Sequence, residues 1–194
     1  MFIGTKKIIF ADLDGVFFKL VNHFGERGVS ARTQDEIELI AGLEDILRKL
    51  VERNYVIVGI TNQPDIARKK ITHEFLEEKH RRLLKTYPQI TEVFICAHTE
   101  TDLCGCRKPK PGLLQQAGKK YEADFASSWM IGDSRSDIEA GHAMRTRTIL
   151  VQTLWNSEST TPVLGYVTAV AKSAHGALSL ILALEEGVSN KDDV

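Results

Sequence analysis

Short apolar runs and helical stripes take turns along this chain. Ile8-Ile9-Phe10-Ala11 has no polar break until Asp12, the pattern of a strand buried on both faces. Tyr55-Val56-Ile57-Val58-Gly59-Ile60 repeats it with β-branched residues. Val93–Ile95, Trp129–Ile131 and Thr148–Val151 are shorter versions. Between these runs the spacing becomes helical. Leu43, Ile46, Leu47, Leu50 and Val51 fall on one face of a helix over 43–53. Phe75, Leu76, Leu83 and Leu84 predict another over 72–86, with Thr72 as its N-cap. Pro111 suits the first turn of a helix reaching Tyr121, and Ser134 opens one reaching Met144. Residues 174–186 predict a closing helix, and the polar end SNKDDV reads as frayed.

Strands alternating with helices predict an α/β fold: a doubly wound parallel sheet covered on both faces, with the first strand central. The length of 194 residues suits one domain, and no repeat or linker divides it, so a single domain over 1–194 is expected. No separate cap domain is expected. The lid candidate is the flap segment 17–36, which holds Phe17, Phe18, His23, Arg27 and Arg32 without a clear period.

Composition narrows the function classes. The chain is 43% hydrophobic and 26% charged with a net charge of −1, so no global basic field points to nucleic acid. It has no apolar run long enough for a membrane span. The start MFIGTKKIIFADLDG lacks signal-peptide architecture, and a cytoplasmic protein is expected. All three cysteines, Cys96, Cys104 and Cys106, lie in one short stretch with His98. In a reducing compartment such a cluster favours metal ligands over disulfides, and an odd count leaves no complete pairing.

Ligands of a parallel sheet bind beyond the carboxyl ends of its strands, so the residues there carry the chemistry. The first strand ends in Asp12-Leu13-Asp14-Gly15 and the second in Thr61-Asn62-Gln63. The segment after the third leads to Arg107-Lys108, and the fourth ends in Gly132-Asp133, with Asp137 following. Carboxylates this close repel unless a divalent cation neutralises them, and an oxygen-rich site suits Mg²⁺. Asp12 is then both ligand and nucleophile, giving an aspartyl-phosphate. Asp14 serves as acid toward the leaving oxygen and then as base for water. Lys108 neutralises phosphate charge and Thr61 donates to it. Read singly, DxDG or GDxxxD is more often a loop turn or a helix cap.

DLDGV, TNQ, RKPKPG and GDSRSD, taken in order, resemble the four motifs of the haloacid dehalogenase superfamily of phosphohydrolases. The likeness spans residues 8 to about 151. Cys96-x-His98, Cys104-x-Cys106 and TNQ followed by Ile66-Ala67-Arg68 resemble the branch containing heptose-1,7-bisphosphate and histidinol-phosphate phosphatases. Three thiolates and an imidazole match a closed structural zinc site, a staple for the loop 96–106 that delivers Arg107 and Lys108. Free thiols or a redox pair are the bland alternatives.

The resemblance implies Zn²⁺ on Cys96, His98, Cys104 and Cys106, and catalytic Mg²⁺ on Asp12, the Asp14 carbonyl and Asp133. It implies Asp12 as nucleophile, Asp14 as acid and base, and phosphoryl binding by Thr61, Asn62 and Lys108. Arg107 touches the substrate beyond the phosphoryl group, and Asp137 orients Lys108 or the metal's waters. Leu13 replaces the arginine usual in the heptose enzymes, Pro64-Asp65 replaces Ser-Gly, and Ser134 replaces lysine. A second substrate phosphate therefore finds less compensation here.

The expected function is Mg²⁺-dependent hydrolysis of a small phosphomonoester, first a heptose-type sugar phosphate. Histidinol phosphate is the alternative, with Asp65 as the anion for its ammonium. Two further options are a non-catalytic module that binds a phosphorylated ligand and phosphate transfer to an acceptor other than water. His23 with Arg27 reads as solvated loop, Arg68-Lys69-Lys70 as a solvated face and His80-Arg81-Arg82 as helix surface. Trp129 and Trp155 read as packing.

Overall fold

A computed structural model describes residues 5–156 and 165–189. The elements in chain order are β1 (Lys7–Ala11), β2 (Val21–His23), β3 (Glu26–Val29), α1 (Glu44–Glu52), β4 (Tyr55–Asn62), α2 (His73–Thr86), β5 (Ile90–Cys96), α3 (Gly112–Tyr121), β6 (Trp129–Gly132), α4 (Arg135–Ala143), β7 (Arg147–Val151), β8 (Ala169–Ala171) and α5 (Ala174–Ser189). Six strands form one sheet in the order β5-β4-β1-β6-β7-β8, and every pairing in it is parallel. β1 lies at the centre, as its unbroken apolar run requires.

Alternate residues of β1 feed two cores. Ile9 and Ala11 pack in the cluster that holds Leu47 of α1, Leu83 of α2 and Ile181 of α5. Ile8 and Phe10 pack with Leu113 of α3, Met130 of β6 and Ala140 of α4. Helices thus cover both faces, the doubly wound arrangement expected. Thr72 caps α2 by accepting from the Phe75 N–H at 3.1 Å. Ser134 caps α4, in a reciprocal box with Asp137.

The flap segment divides in two. Phe17 and Phe18 are not lid residues: they are 0% and 1% exposed and belong to the core. They follow one tight turn in which the Phe17 and Phe18 N–H groups both donate to the Leu13 carbonyl. The lid-like part is shorter, the antiparallel hairpin β2–β3. Its polar sequence gave no strand period. β8 also escaped prediction, since three residues, Ala-Val-Ala, are too few to show one. The predicted frayed tail lies outside the described residues beyond Ser189. No helix among the described residues is long and apolar enough to cross a membrane.

Candidate active site

The carboxyl ends of β1, β4 and β6 frame a cavity of about 380 Å³ lined by Asp12, Asp14, Thr61, Lys108 and Asp133, with the hairpin on one side. The strand-end rule therefore holds, and each of these residues arrives from a different local cause.

Asp12 is the first residue after β1, and its N–H donates to the Ile131 carbonyl of β6 at 2.8 Å. Its Oδ1 accepts from the Leu13 N–H at 2.8 Å and meets Lys108 Nζ at 2.9 Å. Gly15 turns the chain sharply away at φ +82°, and a Cβ there would stand 2.4 Å from Asp133 Oδ2. Only glycine lets Asp133 approach this closely.

Lys108 is 3% exposed. Its Nζ contacts Asp12 Oδ1 at 2.9 Å and Asp137 Oδ1 at 2.5 Å, and donates to the Ile60 carbonyl at 2.7 Å. Burial alone would lower its pKa, but the two carboxylates outweigh burial and raise it. Asp137 is itself fully buried, and its Oδ2 accepts from Ser134 Oγ at 2.6 Å. Its other oxygen is the one that meets Lys108.

Asp12, Asp133 and Asp137 bring carboxylate oxygens within 4.8 Å of one another. Burial first, then Asp137, pushes Asp12 up to about 7. Burial first, then Asp12, pushes Asp133 up to about 8. A divalent cation would relieve this repulsion, and an all-oxygen donor set fits Mg²⁺. The Asp14 carboxylate lies outside this group. Its Oδ1 meets Lys79 Nζ at 2.5 Å, and its Oδ2 accepts from Ser30 Oγ at 2.8 Å and Gln63 Nε2 at 2.9 Å. Burial pushes its pKa up, but Lys79, then Ser30 and Gln63, lower it overall.

Two predicted substrate contacts have partners within the protein. The Asn62 side chain lines the cavity but clamps the Lys108 backbone, donating to its carbonyl and accepting from its N–H, each at 3.0 Å. Its carboxamide is therefore a brace for the lysine before it is a phosphate ligand. Arg107 pairs with Glu100 and donates to the His98 carbonyl at 3.3 Å, outside the cavity lining. The cavity arginines are Arg27, Arg32 and Arg68 instead. Arg32 and Arg68 share Asp65, at 2.8 and 3.3 Å. Arg68, from the run Arg68-Lys69-Lys70 read as a solvated face, thus lines part of the cavity rim. His23 stays away from the cavity, 3.7 Å from Glu36. Trp129 is fully buried packing, as expected. Trp155 is cavity wall, pressed against Gly28 (φ +62°), where a Cβ would lie 2.5 Å from its ring.

The Cys/His cluster closes at the end of β5. Cys106 Sγ lies 3.2 Å from Cys96 Sγ, 3.5 Å from Cys104 Sγ and 3.3 Å from His98 Nδ1. Cys96 Sγ lies 3.7 Å from Cys104 Sγ and 3.5 Å from His98 Nδ1. The edges of a tetrahedral Zn–S/N site are about 3.6–3.8 Å, so the four donors fit one ion with little adjustment. Lys110 Nζ donates to the Cys104 carbonyl at 2.7 Å, tying the loop across to the Arg-Lys-Pro-Lys run.

Comparison with known proteins bears on this geometry. Residues 105–163 match the HAD-hydrolase-like family model. The D-glycero-β-D-manno-heptose-1,7-bisphosphate 7-phosphatase of Neisseria meningitidis is 32% identical over 151 residues, covering 76% of this chain and 78% of that protein. The chain belongs to the haloacid dehalogenase family. It is a phosphatase of that family, similar also to the α-anomer enzyme of Photorhabdus laumondii, at 35% identity over 76% of this chain and 83% of that one. The crystal structure of the D,D-heptose 1,7-bisphosphate phosphatase from B. bronchiseptica, complexed with magnesium and phosphate, superposes with a TM-score of 0.78 at 26% identity, covering 91% and 98% of the two chains. The two chains thus share one fold.

Sequence reasoning missed two residues at this site. Lys79 lies on the apolar stripe of α2, four residues after Phe75 and four before Leu83. Gln63 closes the TNQ run. The contacts that bring each to Asp14 come from distant elements.

Proposed function

We propose that the chain is a Mg²⁺-dependent phosphatase that hydrolyses a small sugar phosphate, of the heptose phosphate type, through an aspartyl-phosphate on Asp12. The observation that carries this reading is the Asp12 carboxylate lining the strand-end cavity. Lys108 meets its Oδ1 at 2.9 Å, and burial first, then Asp137, raises its pKa. Asp12, the Asp14 carbonyl and Asp133 would hold Mg²⁺, which supplies charge neutralisation for both carboxylate and phosphoryl oxygens.

Lys108 and Thr61 bind the phosphoryl oxygens. Asp12 attacks phosphorus, the ester P–O bond breaks, and the leaving oxygen takes a proton from the Asp14 carboxyl. Water then attacks the aspartyl-phosphate and gives its proton to Asp14. The P–O bond to Asp12 breaks, and the carboxylate is restored as phosphate leaves. Cys96, His98, Cys104 and Cys106 would hold a structural Zn²⁺, which would keep the Lys108 segment in place. The single-domain extent over 1–194 belongs to the same proposal.

The relatives named above act on heptose bisphosphates, which favours a phosphorylated sugar. The histidinol reading loses its anion: both Asp65 oxygens are already engaged by Arg32 and Arg68. The test is phosphate release from a panel of heptose mono- and bisphosphates, histidinol phosphate and common sugar phosphates, with Mg²⁺ and with an Asp12→Asn control. Control-sensitive release from a sugar phosphate supports the reading. Binding without release from any member favours a non-catalytic module.

A further inference from the structure

Lys79 is an ammonium inside the protein with no part in the reaction as written above. It lies on α2 and its side chain is 0% exposed. Its Nζ contacts Asp14 Oδ1 at 2.5 Å, donates to Ser30 Oγ at 2.8 Å and sits 4.6 Å from the centre of the Phe18 ring. An unpaired lysine at such a depth is strongly unfavourable, so the carboxylate and the lysine hold each other in place.

The contacts of Asp14 are all donors. They come from an ammonium on α2, a hydroxyl just after the hairpin and an amide just after β4. Three elements far apart in sequence therefore fix one carboxylate. The Ser30 hydroxyl donates to Asp14 Oδ2 and accepts from Lys79, so it closes a small ring of contacts. Gln63 also donates to Thr61 Oγ1 at 3.0 Å, which ties the same carboxylate to the phosphoryl-binding strand end.

Resting on the role given to Asp14 above, we propose that Lys79 is a positioning residue that fixes the Asp14 carboxylate as the proton acceptor of the second half-reaction. In that step the water oxygen bonds to phosphorus and its proton moves to Asp14. The bond from phosphorus to Asp12 breaks with its electron pair returning to Asp12. The first half-reaction depends on Lys79 far less when the leaving oxygen departs without a proton.

p-Nitrophenyl phosphate supplies such a leaving group, and kinetics on the full chain with Mg²⁺ separate the steps. kcat/KM reports formation of the aspartyl-phosphate, while kcat includes its breakdown. Lys79→Met should lower kcat at least about tenfold, since a positioned base contributes about 10²–10⁴. It should leave kcat/KM within about threefold and raise the fraction of chain trapped as phosphoenzyme after an acid quench. Lys79→Arg, which keeps the charge, should recover part of kcat. Ser30→Ala, a milder loss in the same ring, should show the same split at smaller size and serves if Lys79→Met does not fold. An unchanged kcat, or kcat and kcat/KM falling together in the folded variants, overturns the role of Lys79. Wild-type turnover that survives Asp12→Asn overturns the phosphatase mechanism instead, so the two failures are distinct.

Discussion

The buried carboxylates make the metal-free protein's stability depend on pH in a way that Mg²⁺ should erase. Asp12 titrates at about 7 and Asp133 at about 8 in the folded chain, against an ordinary value of 3.8 for each. A carboxyl with a raised folded value contributes fully below its unfolded pKa, and that contribution is lost as pH rises through the folded value. Between about pH 8 and pH 6.5, integration over both groups gives roughly 2 kcal/mol of stability regained on acidification, at about 1.4 kcal/mol per pH unit for each group. His80 opposes this. Burial, then Lys79, holds it down at about 4, so protonation favours the unfolded chain. That contribution stays under about 1 kcal/mol above pH 6.5, because the unfolded imidazole is then at most half charged. For a chain of this length, 2 kcal/mol is a rise in Tm of about 4–8 °C. The assay is thermal unfolding in chelator across this pH range, repeated with Mg²⁺. With a hundredfold excess of Mg²⁺ over its Kd, the folded state at pH 8 should gain about 2.7 kcal/mol, Tm should rise and the slope should flatten. A metal-free Tm that is level or falls from pH 8 to 6.5 would refute the reasoning. So would a slope that neither Mg²⁺ nor Asp133→Asn changes.

Three further outcomes are expected. Asp12→Asn should abolish phosphate release while leaving the circular dichroism spectrum unchanged, because the amide keeps the shape and loses the nucleophile; measured turnover above about 1% of wild type would count against it. Cys106→Ser should remove bound zinc by elemental analysis, quicken amide exchange over 96–112 and lower activity at least about tenfold through misplacement of Lys108. Asp65→Asn should release Arg32 and Arg68 from their shared carboxylate and lower KM for a bisphosphate relative to a monophosphate by roughly fivefold, one partly exposed charge-assisted contact.

The strands and their ends could be read from the sequence because burial on both faces leaves an unbroken apolar run, and a polar residue ends each run where the ligand binds. β1 and β4 show this directly: Ile8–Ala11 stops at Asp12, and Tyr55–Ile60 stops at Thr61. β2 and β3 could not be read, because a two-stranded hairpin at the surface buries no full face and Val-Asn-His or Glu-Arg-Gly-Val has no period. Phe17 and Phe18 were placed in the flap for a related reason. Their burial comes from a single turn on Leu13 and a bridge from Phe18 to Leu39, neither of which repeats along the chain.

Charge on a helix was the least readable signal. A run such as Lys79-His80-Arg81-Arg82 looks solvated, since lysine and arginine are almost never fully buried without a partner. Arg81 and Arg82 do pair with Glu78 near the surface. Lys79 and His80 instead face inward, at 0% and 8% exposure. What turns the helix this way is its apolar face: Phe75, Leu76 and Leu83 are buried, and residues three and four positions from them share that face. Lys79 lies four after Phe75 and four before Leu83, so the stripe drives it into the core whatever its charge. The partner that makes this tolerable, Asp14, is 65 residues away at the end of another element. A charged residue on the apolar stripe of a helix therefore implies a distant counter-ion, and in this fold a strand-end carboxylate is that partner.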